Sequence, residues 1–213
     1  VDLDGEVISD AAATRENFLT RANHYGILHL ATHAAVNNEA PLRSYIAFYP
    51  RAGQPNLLYA AEIYDLHLDS TRLVILTACE TGTGQLVRGE GLMSLSRAFT
   101  YAGCPNIITS LWKAEDKTTA LLARALHHYL AEGYSRDLAL RQAKLDLLHD
   151  EQLDPRFKSP AAWAHLVLIG EYEPARRPFP YRWLLLLPLG ALLLFLLKKI
   201  PSRLRRDGRW FSR

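Results

Sequence analysis

Residues 72–78, RLVILTA, form a continuous apolar, β-rich run. Such a run fits a strand covered on both faces, which is the condition of strands in parallel sheets flanked by helices. Three more β-rich stretches share its brevity: ILHLAT (27–32), NIITSLW (106–112) and WAHLVLIG (163–170). SYIAFYP (44–50) alternates and closes on a proline, and LLYAAEIYDLHLDS (57–70) begins as a short strand before turning helical. Between these runs the spacing is helical. Residues 10–26 end on Gly26; in 89–102 Leu92, Leu95, Phe99 and Ala102 form one stripe closed by Gly103; two amphipathic stretches cover 117–133 and 135–151, the second opened by Ser135 as N-cap. Strands alternating with helices predict an α/β domain with a mainly parallel sheet over residues 1–170.

In an open parallel sheet, functional groups gather where the strands end at their carboxyl side. Two of the runs end on chemistry-bearing residues: His33 just past ILHLAT and Cys79 just past RLVILTA, 46 residues apart. A free thiol with a pKa near ~8.5 is only partly thiolate at neutral pH, and an adjacent imidazole takes its proton or stabilises the anion. The same imidazole can then protonate a leaving amine. Small residues surround the pair, Ala34 and Ala35 after His33 and Gly82 and Gly84 after Cys79, so backbone N–H groups can approach a substrate carbonyl as an oxyanion hole. The chain has one other cysteine, Cys104, which reads as core packing at a helix-to-strand turn.

Other residues carry weaker signals. Trp112 ends a strand at the same sheet edge, and Glu115 or Asp116 could line a pocket for a basic side chain; the competing reading is that Asp116 caps the helix that follows. Glu80 reads as loop structure beside the cysteine. His29 lies four residues before His33, but the segment is β-rich and no third ligand lies nearby, so a metal is not expected and His29 reads as a core or supporting histidine. His127 and His128, adjacent on a helix, face different directions. Nothing in the sequence asks for a cofactor.

Four blocks then occur in order: LHLATHA, LVILTACETGTGQLVRGEGLMSLSRAFTYAGCPNIITSLWKAEDKTTALL, ALRQAKLDLL and AAWAHLVLIG. Together they resemble the CHAT domain family of caspase-like cysteine peptidases, over about residues 15–170. The resemblance implies a caspase-like three-layer α/β/α sandwich and an endopeptidase in which His33 and Cys79 form the dyad, with backbone groups at Ala34 and Cys79 as oxyanion donors. It implies a protein or peptide substrate, and tetratricopeptide repeats upstream in the same protein. Family members usually have glycine after the histidine, where this chain has Ala34; that departure favours a rival reading, a scaffold that kept the fold while its activity lapsed. A hydrolase or transferase acting on another acyl group would share the dyad chemistry.

The tail differs from the domain. Residues 1–170 carry 15 Lys and Arg against 19 Asp and Glu, whereas 171–213 carry 10 against 3. A basic tail suits nucleic acid or an anionic membrane, and the residues between its charges, WLLLLPLGALLLFLL, select the membrane. Residues 171–182 read as a Pro- and Arg-rich linker, 183–200 as a single transmembrane helix and 201–213 as a basic tail. The charge-free stretch 183–197 would span about 22 Å as a helix, and snorkelling lysines extend it to about 27 Å, against a hydrocarbon core of ~30 Å. Seven basic residues after the charge-free stretch 183–197, against three in the linker, predict a cytoplasmic C-terminus. A first residue of Val1 reads as the C-terminal part of a longer protein.

Overall fold

The computed structural model describes residues 5–77 and 90–171, with the backbone alone for 90–94. Cys79, Glu80, Gly82 and Gly84 lie outside the described residues, as do the linker beyond Glu171, the segment 183–200 and the basic tail. The chain divides into two units at Arg176 and Arg177, and described residues fall only in the first.

Four strands make the main sheet: β1 (Ile27–Leu30), β5 (Leu73–Leu76), β6 (Asn106–Ser110) and β7 (Leu166–Gly170), in the order β1-β5-β6-β7. The first three are parallel and β7 runs antiparallel to β6. The expected mainly parallel α/β sheet is present. Every residue of β5 is buried, as its unbroken apolar run requires. Its side chains alternate between two cores. Val74 and Leu76 join Leu95, Ala98 and Phe99 of α3 (Glu90–Tyr101), while Leu73 and Ile75 pack with Leu122 and Leu126 of α4 (Asp116–Ala131) and Ala139, Leu140, Ala143 and Leu147 of α5 (Arg136–His149). Helices therefore cover both faces of the sheet, an arrangement consistent with a caspase-like fold. Burying each large aliphatic chain of β5 contributes roughly 1.5–3 kcal/mol.

A second, antiparallel sheet lies between β1 and β5 in sequence: β2 (Ala34–Ala35), β3 (Tyr45–Ala47) and β4 (Leu57–Tyr59), followed by the single-turn helix α2 (Ala60–Ile63). The sequence announced β3 and β4 as strands but not their separation from the main sheet. Ile46 and Leu58 are fully buried and join the α3-side core, so this small sheet closes that face.

Several expected elements are shorter. Residues 10–26 fold as a 3-10 turn, helix α1 (Arg15–Arg21) capped by the Thr14 side chain, and a second 3-10 turn. WAHLVLIG splits into the end of a one-turn helix, α6 (Pro160–Trp163), and strand β7, because Pro160 starts a helix readily at its first position. Gly103 sits at φ 108°, and a Cβ there would come within 2.9 Å of the Asp69 carboxylate, so glycine is required where α3 turns into β6.

Candidate functional site

β1, β5 and β6 are parallel neighbours, so their carboxyl ends share one edge of the sheet. His33 follows the end of β1 by three residues, is exposed, and stands where the chain passes from the main sheet into the small one. Two hydrogen bonds fix this crossing. The His33 carbonyl accepts from the Ala47 amide at 2.7 Å, and the Thr32 hydroxyl donates to the Ala47 carbonyl at 2.6 Å.

The same bond determines which way Ala34 faces. Antiparallel pairs alternate between hydrogen-bonded and non-hydrogen-bonded, and the bond from Ala47 to His33 makes the next pair, Ala34 with Ile46, a non-hydrogen-bonded one. The Ala34 peptide groups point away from β3. Its backbone is extended, since Asp10 is the one non-glycine residue with positive φ among the described residues. Alanine in place of glycine thus meets no backbone strain here.

Trp112, Glu115 and Asp116 leave the end of β6, at the edge where His33 leaves β1. Strand β5 lies between, so the two groups are about 10 Å apart in the sheet direction. The Trp112 ring is tied down: its Nε1–H donates to the Ala161 carbonyl at 2.8 Å, and it meets the His165 ring in a T-shaped arrangement. Asp116 does not cap α4. Glu115 occupies the N-cap position, its carbonyl accepting from the Thr118 and Thr119 hydroxyls, and Asp116 is the first helical residue, where its charge suits the helix dipole. Both carboxylates are exposed. Ser135 does hold the N-cap position of α5, but its side chain makes no capping bond.

The structure adds a group that sequence reading left unassembled. On the α4 side of the sheet, His29 Nε2 lies 3.0 Å from Thr77 Oγ1, and its Nδ1 lies 2.9 Å from Nε2 of His127. Burial, and then the neighbouring His127, lower the His29 pKa to about 4; burial lowers that of His127. His128 turns outward and approaches Glu132 on the surface. A separate histidine, His165, is fully buried beside Thr119, and burial holds its pKa at about 4. No local pattern could have joined His29 to His127, which lie 98 residues apart.

Cys104 is fully buried, its thiol donates to the Asn106 carbonyl, and burial pushes its pKa up. This is the environment of an inert core thiol. Among the described residues no three His, Cys, Asp or Glu side chains are grouped to hold a metal ion, and no helix is long and apolar enough to cross a membrane.

An open groove runs past β1, lined by Phe18, His29, His33, Phe48, Leu121 and His127 among others. Comparison with known proteins fits this architecture. A family model described as the CHAT domain matches residues 3–171. Tetratricopeptide repeat protein 28 of Mus musculus is 32% identical over 114 residues, 54% of this chain, and its Homo sapiens counterpart is 31% identical over 117 residues, 55% of the chain. The match covers 4% of the length of each of these relatives. With most of the described unit inside the matched span, the chain belongs to the CHAT domain family, a caspase-like family that occurs in proteins with tetratricopeptide repeats.

Proposed function

We propose that this chain is a caspase-like cysteine endopeptidase module, with Cys79 as nucleophile and His33 as general base and then acid. The observation that carries the reading is the register of β1 against β5. Each residue of β5 is numbered 46 above its partner in β1, from Ile27 with Leu73 to Leu30 with Leu76, and His33 and Cys79 are separated by the same 46 residues. The pairing runs on to Thr77, whose amide donates to the Leu30 carbonyl. Equal lead-outs from adjacent parallel strands support a nucleophile and a base that come within reach of each other.

In this mechanism His33 takes the Cys79 proton, the thiolate attacks the scissile carbonyl, and the amides of Ala34 and Cys79 stabilise the oxyanion. His33 then protonates the departing amine, and water releases the acyl group with His33 again as base. Glu115 and Asp116, acidic and exposed at the shared edge, favour a substrate with a basic side chain, and Trp112 offers an aromatic wall. Cys79→Ala abolishes proteolysis if the reading holds; undiminished cleavage by that variant would falsify it.

We further propose that residues 183–200 tether the module to a membrane as one span, with the basic tail 201–213 cytoplasmic. The support is the charge-free apolar run followed by seven basic residues. Alkaline carbonate extraction tests it: the full chain stays with the membrane, whereas a chain ending at 182 is released. The names of the matched relatives support a setting in which tetratricopeptide repeats belong to the same protein and recruit its protein partners.

A further inference from the structure

The main sheet holds a hydrogen-bonded chain of three side chains from three elements: Thr77 at the end of β5, His29 in β1 and His127 in α4. In the register, His29 pairs with Ile75, so Thr77 is its diagonal neighbour on the same face, the face covered by α4. Four residues beyond His29 comes His33, and two beyond Thr77 comes Cys79. The bond between His29 and Thr77 therefore crosses between the two strands just before both lead-outs begin.

We propose that the Thr77–His29–His127 chain positions the proposed dyad, locking the end of β1 to the end of β5 so that the His33 and Cys79 lead-outs depart at a fixed separation. This inference rests on the peptidase reading, and His29, Thr77 and His127 are positioning residues that touch no substrate.

The chemistry of imidazole makes such a link directional. A neutral ring has one N–H and one bare nitrogen. If His29 Nδ1 accepts from His127, its Nε2–H donates to the Thr77 hydroxyl; if Nδ1 donates, Nε2 accepts from that hydroxyl. Either way, the proton between the two rings fixes the sense of the bond to Thr77. A second extra proton is excluded, because two N–H groups would face each other across 2.9 Å. The downward pKa shift of His29 agrees with a ring kept neutral for this purpose. Main-chain pairing alone leaves the ends of short strands free to fray. A diagonal side-chain bond across the strand ends removes that freedom where an error of about 1 Å can cost on the order of a hundredfold in rate.

The test is the alkylation rate of Cys79 by iodoacetamide on the full 213-residue chain, with buried Cys104 as an internal monitor of unfolding. Thr77→Val deletes the hydroxyl at nearly constant shape and Thr77→Ser restores it. His29→Gln keeps a polar atom near the Nε2 position, and His29→Asn keeps one near Nδ1. The expected result is a loss of about tenfold or more in Thr77→Val and His29→Asn, with substantial recovery in Thr77→Ser and His29→Gln and Cys104 still protected. Equal rates in Thr77→Val and Thr77→Ser, with Cys104 protected, overturn the proposal.

A second readout covers variants that loosen the fold and the case where wild-type Cys79 shows no activation by His33, which counts against the peptidase reading itself. The ring resonances of His33, followed by NMR with labelled histidine, move in Thr77→Val and return in Thr77→Ser if the chain positions His33. Their constancy in both variants sinks the positioning role whatever Cys79 does.

Discussion

The carbonyl of His33 accepts a hydrogen bond from the amide of Ala47, and the hydroxyl of Thr32 donates to the carbonyl of that same alanine. The histidine proposed to do the chemistry is thus held from outside its own sheet, by the central strand of the small sheet. Its position depends on β3, a strand that supplies no group to the proposed reaction.

Thr32→Val removes the side-chain half of this attachment. One net hydrogen bond is worth about 1 kcal/mol, so the urea midpoint falls by a corresponding amount while the far-ultraviolet circular dichroism is unchanged. Cys79 alkylation slows in the same variant. A stability loss with no change in alkylation would show that the small sheet supports the fold and not the histidine.

Restoring the family glycine is expected to cost stability and bring no activity. Ala34 is extended and buried, so Ala34→Gly adds backbone freedom to the unfolded chain and destabilises by roughly 0.5–1 kcal/mol. The amide that the mechanism uses is present in both versions. Equilibrium denaturation and peptide cleavage measured together check this; a large gain in cleavage would mean that the Cβ obstructs the substrate.

Acid should weaken the domain through its neutral histidines. His29 and His165 have folded pKa values of about 4, against about 6.5 for an unperturbed imidazole. As pH falls below ~6.5 the unfolded chain takes up protons that the folded one refuses, so their stabilising contribution is complete above ~6.5 and is lost on the way down to about 4. The loss approaches 1.4 kcal/mol per pH unit for each group across that window. Thermal melts between pH 7 and pH 4.5 show the decline, and His165→Phe, which keeps an aromatic ring against Trp112, flattens it. An identical slope in the variant would assign the acid sensitivity to other groups.

Cys104→Ala leaves a small cavity at a fully buried site and removes the bond to the Asn106 carbonyl. The expected cost is about 1–2 kcal/mol, with proteolysis intact. Loss of cleavage in a folded Cys104→Ala chain would contradict the assignment of Cys79 as the nucleophile.

How much of this was readable in advance differs from residue to residue. RLVILTA announced a central strand because burial on both faces leaves no polar position, and Leu95, Phe99 and Ala102 marked the covering face of α3 by their spacing. The edge shared by His33 and Trp112 followed once those strands were parallel neighbours. The small sheet was less legible, because a strand of two residues such as Ala34–Ala35 has no period to detect. The α4 boundary was misread at its cap: Glu115 holds that position through its backbone, and Asp116, the better capping residue by type, falls one place inside. His29, Thr77 and His127 were beyond reach, because a hydrogen-bonded chain built across three elements leaves no mark in any one of them.

The constant offset between β1 and β5 also predicts where the length of such a chain is free to vary. Insertions in the excursion 35–70 change the numbering of everything after them but leave Leu30 beside Leu76, so the loop 51–55 can lengthen without touching the strand ends. An insertion between Leu30 and His33, or between Leu76 and Cys79, lengthens one lead-out and not its neighbour. Two stretches of three residues are thus intolerant of added length while the long excursion between the strands is permissive. Length variants that respect the first and expand the second are those expected to keep the proposed chemistry.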